Sequence, residues 1–353
     1  MIIKKLKIKN FRNIEKIEIF PHYNTNIFFG ENAQGKTNII EAIWLFTGAK
    51  SFRTNKDIEL VSFGYKKAVL EIDFLSEGIE KNAKIIIDEK RFAEVNGKKL
   101  KSLLDFASQF NAIIFSPQDI SIVNDSPSVR RRFLDIAIGQ IYPKYIKILR
   151  DYTRAVTQRN SIIKESFKDA SLKPLLEDFE AVIVENGEKI IEYRQKYIEN
   201  IKKFAPKIYN DLSGGKEIFD IEYKKSFKGT LEEAIMLNKR EDMIRGTTSV
   251  GPHRDDLEFK INGFSARDFA SQGQRRSIAL TLKLTEAEII KNITGEMPVA
   301  LLDDVMSELD KTRQDYILNH IKGWQVFITC CEAAHFSGME EGKKYNIKGG
   351  KII

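Results

Sequence analysis

The chain has 353 residues, of which 42% are hydrophobic and 30% are charged, and its net charge is +7. These values are typical of a globular protein with two or more domains, and they exclude a disordered chain, a collagen-like fibre and a disulfide-rich miniprotein. No apolar run is about 18 residues long, the length that a membrane span needs, and the N-terminus lacks an apolar signal segment. We therefore expect a cytoplasmic protein without a membrane partner.

In the first third of the chain, apolar and polar residues alternate as they do in β-strands. Segments 2–8 and 14–20 predict two strands around a turn at 10–13, and the short apolar strand 26–29 runs into a glycine-containing loop. A helix is expected over 37–46. Alternating runs predict antiparallel hairpins and one further buried strand, at 68–74, 83–88, 91–95 and 112–115.

The middle of the chain is basic and helical. Residues 130–210 contain 17 Lys and Arg against 11 Asp and Glu. The helical pattern over 128–168 and 174–209, with a break at 169–171, predicts an antiparallel helical hairpin. The basic excess fits either a surface that binds DNA phosphates or a solvated helix face.

Strands return in the last third of the chain. Asn262-Gly263 predicts a hairpin turn, and a helix over 274–293 precedes the apolar strand 299–302. A helix over 310–322 and a strand over 325–329 follow.

The two ends therefore predict one α/β domain that is split in sequence. We place this domain at 1–125 and 246–353, and we place a helical arm at 126–245 as an insertion.

The glycine-containing loop matches the pattern G-x-x-x-x-G-K-[ST], with an apolar strand before it and a helix after it. In this motif backbone N–H groups surround a phosphate, the lysine contacts the β- and γ-phosphates, and the hydroxyl binds Mg²⁺. The sequence thus predicts an ATP and Mg²⁺ site. The residues assigned to it are Gly30, Glu31, Asn32, Ala33, Gln34, Gly35, Lys36, Thr37 and Asn38.

Two acidic residues, Asp303 and Asp304, stand at the end of the apolar strand 299–302. In phosphate-loop enzymes such a strand lies beside the loop, so we assign Asp303 to Mg²⁺ and Asp304, as a catalytic residue with Lys36, to the attacking water. The alternative is that the paired acids cap the next helix.

The segment Ser271-Gln-Gly273-Gln274 opens a predicted helix before this strand. It resembles the signature motif of ABC-type ATPases, in which it binds the γ-phosphate held by the other subunit. Residues 307–310, Ser-Glu-Leu-Asp, follow the acids as the D-loop does in that superfamily.

With these motifs in this order, the chain resembles the RecF family of bacterial recombination mediators along essentially its whole length. The matching segments are 9–13, 30–37, 51–54, 115–119, 126–135, 251–256, 271–275 and 302–310.

The resemblance implies an ABC-type ATPase head, with a mixed sheet, an antiparallel β subdomain and an inserted α-helical arm. It implies an ATP-dependent homodimer that binds duplex or gapped DNA and acts with RecO and RecR to load RecA. Because Asp304 stands where most ABC-type ATPases have glutamate, we expect slow, DNA-stimulated hydrolysis that works as a release switch.

Resemblance to SMC-like heads implies that Arg12 and Arg53 contact ATP, and the alternative is that they form structural ion pairs. Gln118, where the family often has Glu, is either the Gln-loop residue near Mg²⁺ or a polar turn residue. The switch histidine of ABC-type ATPases is replaced here by Thr329 and Cys330, either of which is a candidate contact for the γ-phosphate.

Two basic or titratable positions have structural alternatives. Arg130, Arg131 and Arg132 contact DNA phosphates or form an ion-pair hub, and His253 is expected to be a hydrogen-bonded structural residue.

The rival functions are a transporter-type motor subunit and a small-molecule kinase. The basic insertion argues against the first, and Ser271-Gln-Gly-Gln has no role in the second.

Overall fold

The computed structural model describes residues 1–100, 106, 109–332 and 341–353. This described part divides into two compact units: unit 1 contains residues 1–120 and 279–353, and unit 2 contains residues 121–278. The domain boundaries predicted after residues 125 and 245 stay a prediction. Among the helices of the described residues, none combines the length and apolar character that a bilayer crossing requires.

Unit 1 begins with an antiparallel sheet. Its strands are β1 (Ile2–Phe11), β2 (Ile14–Ile19), β4 (Ala68–Ser76), β5 (Ile79–Ile87), β6 (Arg91–Val95) and β7 (Lys98–Lys99). They pair in the order β2-β1-β4-β5-β6-β7. Leu6, Ile8, Leu70 and Ile72 are buried on one face, since alternate residues of a strand point to the same side. The predicted hairpins are confirmed.

The other sheet of unit 1 carries the glycine-containing loop. Its strands are β3 (Thr25–Phe29), β8 (Ala112–Phe115), β12 (Val299–Asp303), β13 (Val326–Cys330), β14 (Gly342–Lys348) and β15 (Lys351–Ile352). They lie in the order β15-β14-β3-β13-β12-β8, and β15 alone among these described strands runs antiparallel to its neighbour. Parallel strands end at the same edge, so the loop after β3 and the acids of β12 come together.

The helices of unit 1 are α1 (Lys36–Trp44), α9 (Lys311–His320) and the larger part of α8 (Gln272–Thr294). Helix α1 buries Ile39, Ile40 and Ile43, which fixes the helix that follows the glycine-containing loop against the rest of unit 1. The α/β class with a mixed and an antiparallel sheet, expected from the sequence, is confirmed. The sequence analysis missed β14 and β15.

Unit 2 is built from helices and a small antiparallel sheet. The helices are α2 (Ser121–Asn124), α3 (Pro127–Ile141), α4 (Pro143–Glu165), α5 (Leu175–Ser213), α6 (Leu231–Arg245) and α7 (Ala266–Phe269). The sheet, in the order β11-β10-β9, contains β9 (Phe219–Lys224), β10 (Asp256–Ile261) and β11 (Phe264–Ser265).

Helices α4 and α5 form the predicted hairpin, with Tyr145, Tyr152, Ile190 and Tyr197 buried. The expectation of one helical stretch over 128–168 is wrong in one detail. The chain breaks at Tyr142, and Pro143 opens a new helix. Proline lacks the N–H that a continuous helix needs, but it suits the first helical position.

Two arginines of the basic middle segment are buried and paired with carboxylates. Arg159 donates to Asp242 Oδ2 at 2.7 Å and to Glu180 Oε1 at 3.0 Å, and its side chain is fully buried. Arg194 is likewise buried and donates to Asp135 and to the Pro252 carbonyl at 2.8 and 2.6 Å. These charges are therefore taken up by the fold.

The arginine triplet at the start of α3 is partly structural. Arg130 donates twice to Asp256, at 2.6 and 2.9 Å, and Arg131 donates to the Asp255 carbonyl at 2.7 Å. A bidentate pair of this kind holds a buried guanidinium in one orientation. For Arg130 the ion-pair alternative fits the structure, whereas Arg131 is held by a backbone carbonyl.

His253 is hydrogen-bonded on both sides, as expected. Its Nε2 donates to the Thr248 carbonyl at 3.1 Å, so its Nδ1 accepts from the Tyr152 hydroxyl at 2.6 Å. Burial lowers the pKa of His253 to about 4, which keeps the ring neutral at neutral pH.

Replacing Asp242 by alanine should lower the free energy of unfolding by about 3–5 kcal/mol, because it leaves the Arg159 charge buried without its closest partner. Urea unfolding followed by circular dichroism measures the change. The matched control is Glu185→Ala, which breaks an exposed pair with Lys189 and should change stability little. An equal loss in both variants would contradict a structural role for the buried pair.

Candidate nucleotide-binding site

The loop after β3 is held by backbone and side-chain contacts. The Gly30 N–H donates to the Cys331 carbonyl at 3.3 Å. Lys36 is almost fully buried, and its Nζ donates to the carbonyls of Gly30 and Glu31 at 2.7 and 2.9 Å. The ammonium group of Lys36 thus lies inside the loop and links its first two residues to the start of α1.

Glycine suits position 35 because of its backbone conformation. Its φ is +110°, and a Cβ there would come within 2.7 Å of Asn13 Oδ1. Helix α1 begins at the next residue. The N–H groups of Asn38 and Ile39 donate to the Gly35 carbonyl, so those of Lys36 and Thr37 are the first-turn donors left for an anion among the described contacts. The resulting cradle has the geometry of an anion site.

A chain of hydroxyl and carboxylate groups links α1 to β12 and β13. Thr37 Oγ1 and Thr329 Oγ1 donate to Asp303 Oδ1 at 2.8 and 2.9 Å. The Asp304 N–H donates in turn to Thr329 Oγ1 at 2.9 Å. Burial raises the pKa of Asp303, and the two hydroxyl hydrogen bonds oppose that shift.

The donor set fits Mg²⁺ with a nucleotide. Thr37 and Asp303 supply hard oxygen ligands side by side, and Mg²⁺ in phosphate-transfer sites uses one or two carboxylates together with phosphate oxygens and water. In the described residues no cluster of three or more His, Cys, Asp or Glu is arranged to hold a metal ion.

The cleft at this edge has a volume of about 310 Å³. It is lined by Asn13, Asn32, Ala33, Gly35, Lys36, Thr37, Asn38, Arg53 and Asp304. The structure therefore brings together the phosphate loop, Asp304 and Arg53, which the sequence analysis assigned separately.

Glu41 organises the arginines beside the cleft, and the sequence analysis missed it. Its carboxylate is fully buried in α1 and accepts from Arg12 Nε and Nη2 at 2.9 and 2.8 Å. Arg53 Nη1 lies 3.5 Å from the same carboxylate and donates to Asn38 Oδ1 at 2.6 Å. A charged residue five positions after Lys36, inside an apolar helix, was the available signal.

Gln118 and Cys330 are not among the residues that line the cleft. Gln118 is exposed on the 3₁₀ turn after β8, and its Mg²⁺ role stays a prediction. Burial raises the pKa of the Cys330 thiol to about 11. The Thr329 hydroxyl is engaged by Asp303 and the Asp304 N–H.

The turn between β14 and β15 supports the phosphate loop. The Gly350 N–H donates to the Gln34 carbonyl at 2.9 Å, and the Gly349 N–H donates to Gln34 Oε1 at 2.7 Å. Gly30 also packs against the Ile347 carbonyl so closely that a Cβ would overlap it. These contacts join residues more than 300 positions apart, so local sequence patterns do not reveal them.

The signature segment belongs to unit 2. The Ser271 Oγ accepts from the Gln274 N–H at 3.2 Å, and the Gln274 side chain accepts from the Ser271 N–H at 2.7 Å. This reciprocal arrangement is a capping box at the start of α8. Gln274 Nε2 also donates to Glu217 Oε1 at 2.7 Å, which anchors the turn that contains Gly273.

The sheet order, the phosphate loop and the paired acids define an ABC-type ATPase head. The family model of the RecF/RecN/SMC N-terminal domain matches residues 2–351. A solved head domain of Smc from Pyrococcus furiosus, bound to the C-terminal domain of ScpA, aligns with a TM-score of 0.58 at 19% identity over 100% of this chain and 96% of that chain, which shows the shared fold.

Relatives that match along almost their whole length identify the branch of this family to which the chain belongs. The DNA replication and repair protein RecF of Clostridium perfringens is 37% identical, over 100% of this chain and 98% of its own length. That of Clostridium novyi is 42% identical over 93% of this chain and 92% of its own. The recombination mediator protein RecF, solved with ATP, aligns with a TM-score of 0.92 at 36% identity over 100% of this chain and 97% of that one. The chain belongs to the RecF/RecN/SMC family and, within it, to the RecF proteins.

Replacing Gly350 by alanine should lower the free energy of unfolding by about 1–3 kcal/mol and weaken ATP binding, because a Cβ would push against the Asn13 backbone and displace the turn that holds Gln34. Thermal unfolding and ATP titration measure the two effects. Gly349→Ala is the matched control, because Gly349 also has a positive φ but no atom within 4 Å of its Cβ position. The same ATP affinity in both variants would show that the turn does not support the loop.

Proposed function

We propose that this chain is an ATP-dependent DNA-binding protein of recombinational repair and replication, which acts as an ATP-gated dimer of heads. The single observation that carries the ATP part is the pairing of Thr37 with Asp303 at 2.8 Å beside the phosphate loop. A hydroxyl at the start of a helix and a carboxylate at the end of a neighbouring strand meet in this way at Mg²⁺-nucleotide sites.

Each residue of the cleft has a distinct role in this proposal. The first-turn N–H groups of α1 surround the phosphates, and Lys36 exchanges its bonds to the Gly30 and Glu31 carbonyls for phosphate oxygens. Thr37 and Asp303 hold Mg²⁺, which supplies charge neutralisation at the phosphates when it is bound. Glu41 keeps Arg12 in place beside the cleft, and Arg53 lies within it.

Asp304 is the proposed base for the attacking water. It lines the cleft, and its backbone is fixed with a φ of +51° by the hydrogen bond to Thr329. Aspartate is one methylene shorter than the glutamate usual in ABC-type ATPases, so the carboxylate holds water less closely. The proposed activity is therefore a weak, DNA-stimulated hydrolysis of ATP that releases the protein from DNA.

The second half of each site comes from another copy of the chain in this proposal. Ser271, Gly273 and Gln274 begin α8, where a helix N-terminus favours an anion. An isologous dimer would place this segment of each copy on the γ-phosphate bound by the other. ATP then stabilises the dimer because it binds the assembled state.

The proposed partners follow from the family assignment. The relatives are named DNA replication and repair proteins, and the solved relative is a recombination mediator of the RecFOR pathway. We propose that this chain binds duplex or gapped DNA and cooperates with RecO-like and RecR-like partners to load RecA.

Replacing Lys36 by alanine should weaken ATP binding about tenfold or more, because it removes the charge that contacts the phosphates. Equilibrium titration with a fluorescent ATP analogue measures the affinity. Lys50→Ala, at an exposed lysine outside the residues that line the cleft, is the control and should bind as the parent does. Undiminished affinity in Lys36→Ala would refute the loop assignment.

Replacing Ser271 by arginine should abolish ATP-dependent dimers while leaving ATP binding by the monomer intact, because the bulky charge fills the proposed γ-phosphate contact. Sedimentation with ATP and Mg²⁺, with ADP and without nucleotide measures the mass, each with and without gapped DNA. Ser128→Arg, at another exposed helix-start serine of unit 2, is the control. If Ser271→Arg forms the ATP-dependent dimer normally, the shared nucleotide site is excluded. In a separate assay of the parent protein, transfer of the γ-phosphate to an acceptor other than water would favour a kinase.

A further inference from the structure

The turn formed by residues 62–65 exposes two aromatic side chains on the antiparallel sheet of unit 1. Phe63 is completely exposed, at 103% of its reference area, and Tyr65 is 47% exposed. In the described residues Phe63 has no ring or cation stacked on it. By contrast, Phe20 and Phe92 each lie under a lysine, and Phe264 packs edge-on against Phe269. A large apolar ring left in water in this way costs free energy unless a ligand covers it.

The turn is held rigidly, although its tip is exposed. The Tyr65 N–H donates to the Ser62 carbonyl at 3.1 Å, and the Ser62 N–H donates to the Asn10 carbonyl at 2.9 Å. Asn10 Nδ2 contacts the Lys67 carbonyl at 3.4 Å on the far side of the turn. Gly64 has a φ of +83°, which the third position of a tight turn requires. The backbone that carries Phe63 is therefore ordered before a ligand binds, which lowers the entropy cost of binding.

Exposed lysines adjoin this turn in sequence and through strand pairing. Lys66 and Lys67 follow Tyr65, and Lys9 precedes Asn10, to which the turn is bonded. Lys9 stands directly opposite Lys16 in the pairing of β1 with β2, and opposite Val69 in the pairing with β4. None of these four lysines forms an ion pair with any residue in the described ranges.

The rest of the same sheet face is balanced in charge. Lys7 lies opposite Glu18 and Glu71, and Lys5 lies opposite Asp73. Like charges directly opposite each other are destabilising, so the Lys9–Lys16 pair departs from the pattern of its neighbours. An anionic ligand over this corner would remove the repulsion.

We propose that Phe63, Tyr65, Lys9, Lys16, Lys66 and Lys67 form a contact for single-stranded nucleic acid, in which Phe63 stacks on an unpaired base and the lysines contact the flanking phosphates. We call these six residues the aromatic corner. An exposed aromatic ring flanked by lysines is the arrangement that binds single strands without reading their sequence. The inference rests on the proposed function and specifies which strand of a gapped DNA this surface takes.

The aromatic corner adjoins the nucleotide site through one segment. The Arg12 N–H donates to the Leu60 carbonyl at 2.8 Å, and Arg12 Nη1 donates to the Glu59 carbonyl at 2.9 Å. The residues that carry the turn are thus bonded to the arginine that Glu41 holds. A base bound at Phe63 lies one short segment of chain from the nucleotide cleft.

The test compares Phe63→Ala, Phe63→Trp and the control Phe20→Ala, whose ring is 56% exposed elsewhere on unit 1. Fluorescence anisotropy measures binding of an oligothymidine strand and of a duplex of equal length, with ATP and Mg²⁺ present. Phe63→Ala should lose about fivefold or more in affinity for the single strand, the effect of unstacking one base, and much less for the duplex. Phe20→Ala should bind both as the parent does.

Phe63→Trp adds a direct readout of stacking. Trp44 and Trp324, the native tryptophans, are buried, so a tryptophan at position 63 dominates the solvent-exposed emission. Binding of the single strand should quench the fluorescence of Trp at position 63, and the affinity of Phe63→Trp for the single strand should match that of the parent. Replacing both Lys66 and Lys67 by alanine should weaken binding to both DNA forms and flatten the salt dependence, because phosphate contacts release counterions.

The outcomes separate this inference from the proposed function. If the parent binds DNA and Phe63→Ala binds the single strand equally well, or if Phe63→Trp is not quenched, the aromatic corner is not a stacking site and the proposed function is untouched. If Phe63→Ala loses ATP-dependent dimers, the ring belongs to a protein interface and the inference is overturned. If the parent forms ATP-dependent dimers but binds neither DNA, the inference and the DNA part of the proposed function both fail.

Discussion

The parallel pairing of β3, β13 and β12 is the constraint on which the site depends. Because these strands run in the same direction, their carboxyl ends lie at one edge, and three side chains from distant parts of the sequence meet there. Thr37, Asp303 and Thr329 then form hydrogen bonds of 2.8 and 2.9 Å around one carboxylate oxygen. A shift of one residue in either pairing would turn Asp303 or Thr329 to the opposite face of the sheet and separate the group.

The phosphate loop is supported from several sides, which suits a site that must accept and release a charged ligand. Its first glycine is bonded to the residue after β13, Gln34 is held by the turn between β14 and β15, and Gly35 packs against Asn13 from the first hairpin. Each support is a backbone or short polar contact. Together they fix the loop so that its N–H groups face the cleft without a conformational search.

Charge in this protein is divided between the interior and the surface. Arg159, Arg194 and Arg130 are buried in unit 2 with carboxylate partners, and Arg12 is paired with the buried Glu41 in unit 1. Arginine suits these positions because its planar guanidinium makes several directed hydrogen bonds at once. These four arginines are therefore engaged by carboxylates rather than offered to DNA phosphates, although such neutral pairs leave the net charge of +7 unchanged. The lysines of the aromatic corner form no ion pair within the described part of the chain, and our proposal places a phosphate backbone there.

The sequence by itself determined the class of protein and much of the site. The glycines, Lys36 and Thr37 stand at fixed spacing because the loop geometry is local, and the acids after an apolar strand follow from the way such a strand ends. The hairpins and most helices were predicted within a few residues for the same reason. The sequence missed the break at Pro143, where a strong apolar periodicity continues across a proline that starts a new helix.

Only the tertiary structure decided which distant residues support the site. In the sequence Glu41 is a single acid in an apolar helix, and only the structure shows that Arg12 and Arg53 lie against it. The glycines near residue 350 resemble those of an ordinary turn, and only the structure shows that they donate hydrogen bonds to Gln34. The exposed state of Phe63 was equally hidden, since a phenylalanine in a sequence is more often buried than displayed. These features depend on pairings across hundreds of residues, and such pairings are fixed by the packing of the sheets rather than by any local pattern.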